Sequence, residues 1–234
     1  MKVKIAIPIY LHGNPVNEAY DTVIRHYSKM PYDIHICGSE GELSRKFASK
    51  HLSEKVFYFE VSQKSFCQRS KGDDALRKKF NDSLATLGIC DWYCLIGADD
   101  MVPQQTFDEL VSLDSFKPIM AGVSSECPLY FFSKDCSIKV KLSYPALLLP
   151  GLNVFSKRAM QICEQRPYQL QGCETGAERY FFDAGTVVGL HGEVCTIKGD
   201  NVLNTIESIK SKHDWCDLSE YESNIIRKCY GLID

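Results

Sequence analysis

The chain has 234 residues, 44% hydrophobic and 24% charged, with 27 Lys and Arg against 30 Asp and Glu and a formal net charge of −3. That is ordinary globular composition, enough for one large domain or two small ones with a sizeable core. The charge balance does not point to a nucleic-acid binder, although a basic patch can sit inside a neutral total. No apolar run approaches the roughly 18 residues of a spanning helix.

The opening residues 1–13 form a short apolar run interrupted by Pro8, without the long apolar run and small-residue cleavage site of a signal peptide. The 11 cysteines are scattered, with no CxxC pair. Together these give the expectation of a cytoplasmic protein with reduced thiols.

In chain order, Val3 to Ile9 reads as a strand, followed by a loop with Gly13 and Pro15. Val16 to Tyr27 has apolar residues at helical spacing and is closed by Met30-Pro31. Asp33 to Cys37 is a second strand, Glu42 to His51 a helix, and Lys55 to Val61 a third strand. The segment 62–72 is polar and basic, with Lys64, Arg69 and Lys71, and reads as a loop. Asp73 to Leu87 is the clearest helix: Ala75, Leu76, Phe80, Leu84 and Leu87 share a face and Gly88 ends it. Asp91 to Gly97 is nearly all apolar, as a central strand covered on both faces should be. A helix over Thr106 to Leu113 and a strand over Pro118 to Val123 follow. Four βα steps predict an α/β fold with a mostly parallel sheet and helices on both faces.

Beyond Ser124 the pattern loosens. Tyr130, Phe131 and Phe132, then Ile138, Val140 and Leu142 at period two, read as an antiparallel excursion or a long substrate-facing loop. A short strand ends at Phe155, and Ser156 is placed to cap a helix over 157–164. Further expectations are a helix over 176–184, a strand over 186–190, and two C-terminal helices near 203–210 and 218–230.

Gly97-Ala98-Asp99-Asp100 comes directly after the central strand, where ligands of open α/β sheets bind. Two adjacent carboxylates there repel unless a partner is supplied. A hard divalent cation with a diphosphate co-ligand would satisfy both. A pair of solvated turn residues is the alternative.

The order of these segments resembles the nucleotide-sugar glycosyltransferases of the GT-A fold. The likeness is to the broad inverting family that includes cellulose, hyaluronan and O-antigen synthases, and it runs over about residues 3–192. It implies a single GT-A-like (Rossmann-like) three-layer sandwich over 1–234. Residues 1–123 would be its nucleotide-sugar-binding half, and 124–234 its acceptor-binding half with C-terminal helices. By resemblance, Pro8, Ile9 and Tyr10 embrace the nucleotide base, and Lys71 and Arg77 reach toward it. Ala98 and Asp99 belong to the DXD motif, with Asp99 and Asp100 as metal ligands (Mn²⁺ or Mg²⁺) and His191 as a third. Glu174 is the general base, with Glu178 as its substitute. The implied substrates are a nucleoside-diphosphate sugar and a hydroxyl-bearing acceptor: a saccharide, small molecule, protein or modified nucleic acid.

The sequence departs from that pattern at named positions. Gly97 stands where the first DXD aspartate is expected, Ile36 and Cys37 where paired aspartates often end the second strand, and Glu174 where aspartate is commoner. Two alternatives therefore stand beside transfer. One is a catalytically degenerate nucleotide- or carbohydrate-binding protein. The other is a sugar-phosphate nucleotidyltransferase, against which the first loop, Leu11 to Pro15, argues by lacking Arg and Lys.

Overall fold

The computed structural model describes residues 1–61, 72–143, 146–168, 181, 186–198 and 205–233. The expected loop over 62–72 and helix over 176–184 fall almost wholly outside them, as do Lys64, Arg69, Lys71, Glu174, Glu178 and the side chain of Arg77.

The first half alternates strand and helix as its apolar spacing dictates: β1 (Val3–Pro8), α1 (Glu18–Ser28), β2 (Asp33–Gly38), α2 (Glu42–Ser49), β3 (Val56–Glu60), α3 (Gly72–Ala85) and β4 (Trp92–Ile96). A two-residue strand β5 (Asp100–Met101), helix α4 (Gln104–Leu110) and strand β6 (Met120–Val123) complete it. Asn17 starts α1 by accepting the Tyr20 N–H at 3.1 Å, relieving one of the unpaired donors of a helix N-terminus.

Then come β7 (Leu129–Phe132), β8 (Ser137–Lys141), β9 (Leu152–Ser156) and α5 (Lys157–Ile162), with Ser156 capping as expected by accepting the Ala159 N–H at 3.0 Å. The last elements are β10 (Val187–Leu190), β11 (Val194–Ile197), α6 (Ile206–Lys210), β12 (Asp214–Asp217) and α7 (Glu220–Cys229). Strands β5, β11 and β12 are not anticipated by the sequence reading.

Seven of these strands form the central sheet, in the order β10-β6-β9-β4-β1-β2-β3. Pairing is parallel throughout except at β9, which runs against β4 and β6. The reason is topological. The chain leaves β6 at its carboxyl end, makes the antiparallel β7–β8 hairpin there, and re-enters the sheet from that same end. The loosened pattern after Ser124 is thus an antiparallel excursion, and it seeds a second sheet ordered β12-β8-β7-β11-β5.

Every residue of β4 is buried. Trp92, Cys94 and Ile96 pack with Val23, Ile24 and Tyr27 of α1, Phe47 of α2 and Phe107 of α4. Tyr93 and Leu95 pack on the opposite face with Phe80 and Leu84 of α3 and Ala159 and Met160 of α5. The alternation of side chains along a strand produces these two apolar layers, and the fold is the expected three-layer α/β sandwich with a largely parallel sheet. In the hairpin, Phe131 and Phe132 are 8% and 1% exposed, so these two rings belong to the core.

Candidate functional site

The acidic turn is fixed by three elements brought from far apart in the chain. Gly97 to Asp100 closes as a turn, with the Asp100 N–H donating to the Gly97 carbonyl at 3.1 Å. Strand β11 then takes hold of it: Asp100 and Met101 pair with Thr196 and Cys195, and the Ile197 N–H donates to the Asp99 carbonyl at 2.8 Å. From α1, the buried Tyr27 hydroxyl donates to the Asp100 carbonyl at 3.3 Å and accepts the Val102 N–H at 3.0 Å. His26 adds a contact of 2.9 Å from Nε2 to the Val102 carbonyl, and burial holds its imidazole below its ordinary pKa.

The two carboxylates, adjacent in sequence, meet different partners. Asp99 Oδ2 lies 2.8 Å from Lys198 Nζ, with the aspartate side chain 20% and the lysine 11% exposed. Asp100 Oδ1 accepts a 2.5 Å hydrogen bond from the Thr196 hydroxyl. Asp100 also lies directly over two glycines. A Cβ on Gly97 would sit 2.1 Å from Asp100 Oδ2, and one on Gly151 would sit 3.0 Å from Asp100 Cγ. Gly151 has φ +107, a conformation L-residues rarely adopt, so it is required twice over. The close approach at Gly151 is made by the side chain of Asp100.

As Asp100 is oriented, its carboxylate fills the space a side chain at position 97 would use. Ala98 is buried beneath the turn.

His191, at the end of β10, lies beside α4. Its ring Nδ1 is 3.1 Å from Glu109 Oε1 and its backbone N–H donates to Glu109 Oε2 at 2.7 Å, while Thr106 Oγ1 donates to the His191 carbonyl at 2.9 Å. Burial opposes the ionised form of Glu109, but the bonds from His191 outweigh it and hold the carboxyl below its ordinary range. Among the described residues, no three His, Cys, Asp or Glu side chains are grouped to hold a metal ion. With one oxygen of Asp99 engaged by an ammonium and Asp100 tucked onto two glycines, the donors among the described residues do not fit a divalent cation.

At the carboxyl ends of β1 and β2 the structure adds a group the sequence reading does not single out. Lys79 of α3 is fully buried; its ammonium donates to the Ile9 carbonyl at 2.6 Å and to Ser39 Oγ at 3.2 Å, and lies 5.5 Å from the Tyr10 ring centroid. Pro8 and Ile9 are buried at the strand end and Tyr10 is half-buried. In the following loop, the N–H groups of Leu11 and Gly13 both donate to the carboxylate of Glu40, the latter at 3.1 Å. Lys79 falls three residues past Leu76, on the side of the apolar stripe, where a single lysine carries little sequence signal. Lys198 carries hardly more: it follows the mostly β-branched run Val194 to Ile197, but its partner Asp99 is 99 positions away.

No family model matches the chain, and no curated protein sequence matches it. Solved structures do. One is a provisionally named nucleotide-diphospho-sugar transferase from Desulfovibrio desulfuricans G20, with 14% identity, full coverage of both chains and a TM-score of 0.50. Another is the inositol-1-phosphate CTP transferase from T. maritima, with 11% identity over 100% of this chain and 99% of that one, at a TM-score of 0.47. At such identities the likeness is one of fold: the chain is a GT-A-like α/β domain, similar over its whole length to the first of these structures.

Proposed function

We propose that the chain transfers a sugar, with inversion, from a nucleoside-diphosphate sugar to an acceptor hydroxyl. The observation that carries this reading is the acidic turn at the carboxyl end of the central strand, held by β11 and α1 beside the crevice of β1 and β2. The name of the similar D. desulfuricans structure agrees with it.

The nucleotide base lies against Tyr10, in the position where Lys79 braces the Ile9 carbonyl and Ser39. The diphosphate faces the turn. Glu174, or Glu178 in its stead, takes the proton of the acceptor hydroxyl as its oxygen bonds to the anomeric carbon. The bond from that carbon to the β-phosphate oxygen breaks, and its electron pair leaves with the nucleoside diphosphate. The acceptor approaches from residues 124–234.

Nucleotidyl transfer is disfavoured because the first-loop N–H groups of Leu11 and Gly13, which would receive a phosphate in that chemistry, are engaged by Glu40. A degenerate relative would bind nucleotide without turnover.

The test is a donor screen. The full chain is incubated with UDP-, GDP-, CMP- and dTDP-sugars, with and without manganese, and nucleotide release is measured. Release from at least one donor, abolished in Glu174→Gln with donor binding kept, is expected. Binding without release selects the degenerate relative, and no binding of any donor refutes the proposal.

A further inference from the structure

We infer that Lys198 fills the role of the cation at this site, so that the donor diphosphate is bound by an ammonium and nucleotide binding needs no divalent metal. The inference rests on the nucleotide-sugar reading above and concerns the same turn.

Lys198 follows the last residue of β11 and is braced there. Its backbone N–H donates to the Phe132 carbonyl at 2.6 Å, and its ammonium lies 5.5 Å from the Phe131 ring centroid. The ammonium has three N–H donors. Among the described residues its hydrogen-bond partner is Asp99, at 2.8 Å. Only 11% of the side chain is exposed, so the charge is held in a partly desolvated position where a phosphate oxygen would meet it strongly.

A divalent cation on Asp99 would have to displace this ammonium or share the carboxylate with it, against like-charge repulsion. Asp100 gives no second free arm, because its carboxylate is bonded to Thr196 and packed over Gly97 and Gly151. The absent aspartate at position 97 and the lysine at 198 thus belong to one arrangement. Where two carboxylates and a metal would stand, one carboxylate holds one ammonium.

The experiment is titration calorimetry of the full chain with UDP, GDP, CDP and dTDP, each in EDTA and in manganese. The proteins compared are the parent, Lys198→Met, Lys198→Arg and Asp99→Asn, with melting curves as the folding check. At least one nucleotide is expected to bind in EDTA within about threefold of its affinity in manganese. Lys198→Met should weaken it about ten- to a hundredfold in both buffers, as loss of a charge-assisted hydrogen bond predicts, and Lys198→Arg should restore most of the loss.

The sign of Asp99→Asn discriminates. With the ammonium as the cation, removing the neighbouring negative charge tightens binding; with a metal on Asp99, the same change abolishes it. Binding seen only with manganese and lost in Asp99→Asn overturns the inference while leaving the nucleotide reading intact. No binding by any nucleotide in either buffer overturns both. Should Lys198→Met fail to fold, the EDTA comparison and Asp99→Asn decide alone.

Discussion

Gly97→Ala is the sharpest probe of how the acidic turn is built. The backbone at Gly97 lies outside the left-handed region, so alanine brings no conformational strain of its own. It brings a Cβ placed 2.1 Å from Asp100 Oδ2 and 3.0 Å from its Cγ, and the carboxylate must rotate away. Rotation breaks the 2.5 Å bond from Thr196, a hydrogen bond to a charged group, and such bonds contribute about 1.5–3 kcal/mol. Replacing glycine by alanine also restricts the unfolded chain, which offsets the loss by about 0.4–1 kcal/mol. The net expectation is destabilisation of about 1–2 kcal/mol, or roughly 2–8 °C in Tm for a domain of this size. Urea unfolding of the four corners of a cycle, parent, Gly97→Ala, Asp100→Ala and the double variant, isolates the contact. With the carboxylate gone, Gly97→Ala should become neutral or slightly stabilising. An equal loss in the Asp100→Ala background would refute the claim that the Asp100 side chain is what excludes a side chain at 97.

Two other predictions concern stability. Tyr27→Phe removes the hydroxyl that bridges the Asp100 carbonyl and the Val102 N–H, and should cost about 1–3 kcal/mol in urea unfolding by leaving buried backbone groups unpaired; loss below a few tenths of a kcal/mol would mean that water replaces the bridge. His35 is 5% exposed and stacked on Phe59, and burial, assisted by Lys4, lowers its pKa from 6.5 to about 4. The unfolded chain therefore takes up the proton more readily, so this contribution is complete above pH 6.5 and is lost as pH falls toward 4, for a total of about 3 kcal/mol. Unfolding free energies measured across pH 4 to 7 should show the slope in the parent and a flatter line in His35→Phe; parallel lines would reject it.

The elements that could be read from the sequence are those whose signal is local. The all-apolar run of β4 announces a strand covered on both faces, and the carboxylates that follow it fall at the sheet's carboxyl end for that reason alone. The helical stripes of α1 and α3, and the Ser156 cap, are equally local. The orientation of β9 is not local, because it depends on which end of the sheet the preceding excursion occupies. Strand β11 is four residues long, and its importance comes from pairing with β7 and β5, both distant in sequence. For the same reason His191 could be noticed as a histidine after a strand, while its partner Glu109, 82 positions away on α4, could not. The Gly97 departure is visible in the sequence, but its cause is the conformation of Asp100, a side chain three residues on.

Strand β11 and the residue that follows it give the two members of the acidic pair different partners. Thr196 is in register with Asp100 and takes its carboxylate, which leaves Lys198 to meet Asp99. Two like charges that would repel in an isolated turn are thus separated by partners of different kinds, a hydroxyl for the inner one and an ammonium for the outer. The hydroxyl leaves Asp100 its charge but turns it inward onto Gly97 and Gly151, where only glycines admit it. The ammonium pairs with Asp99. The turn thus carries one carboxylate already paired with an ammonium and one already bonded to a hydroxyl.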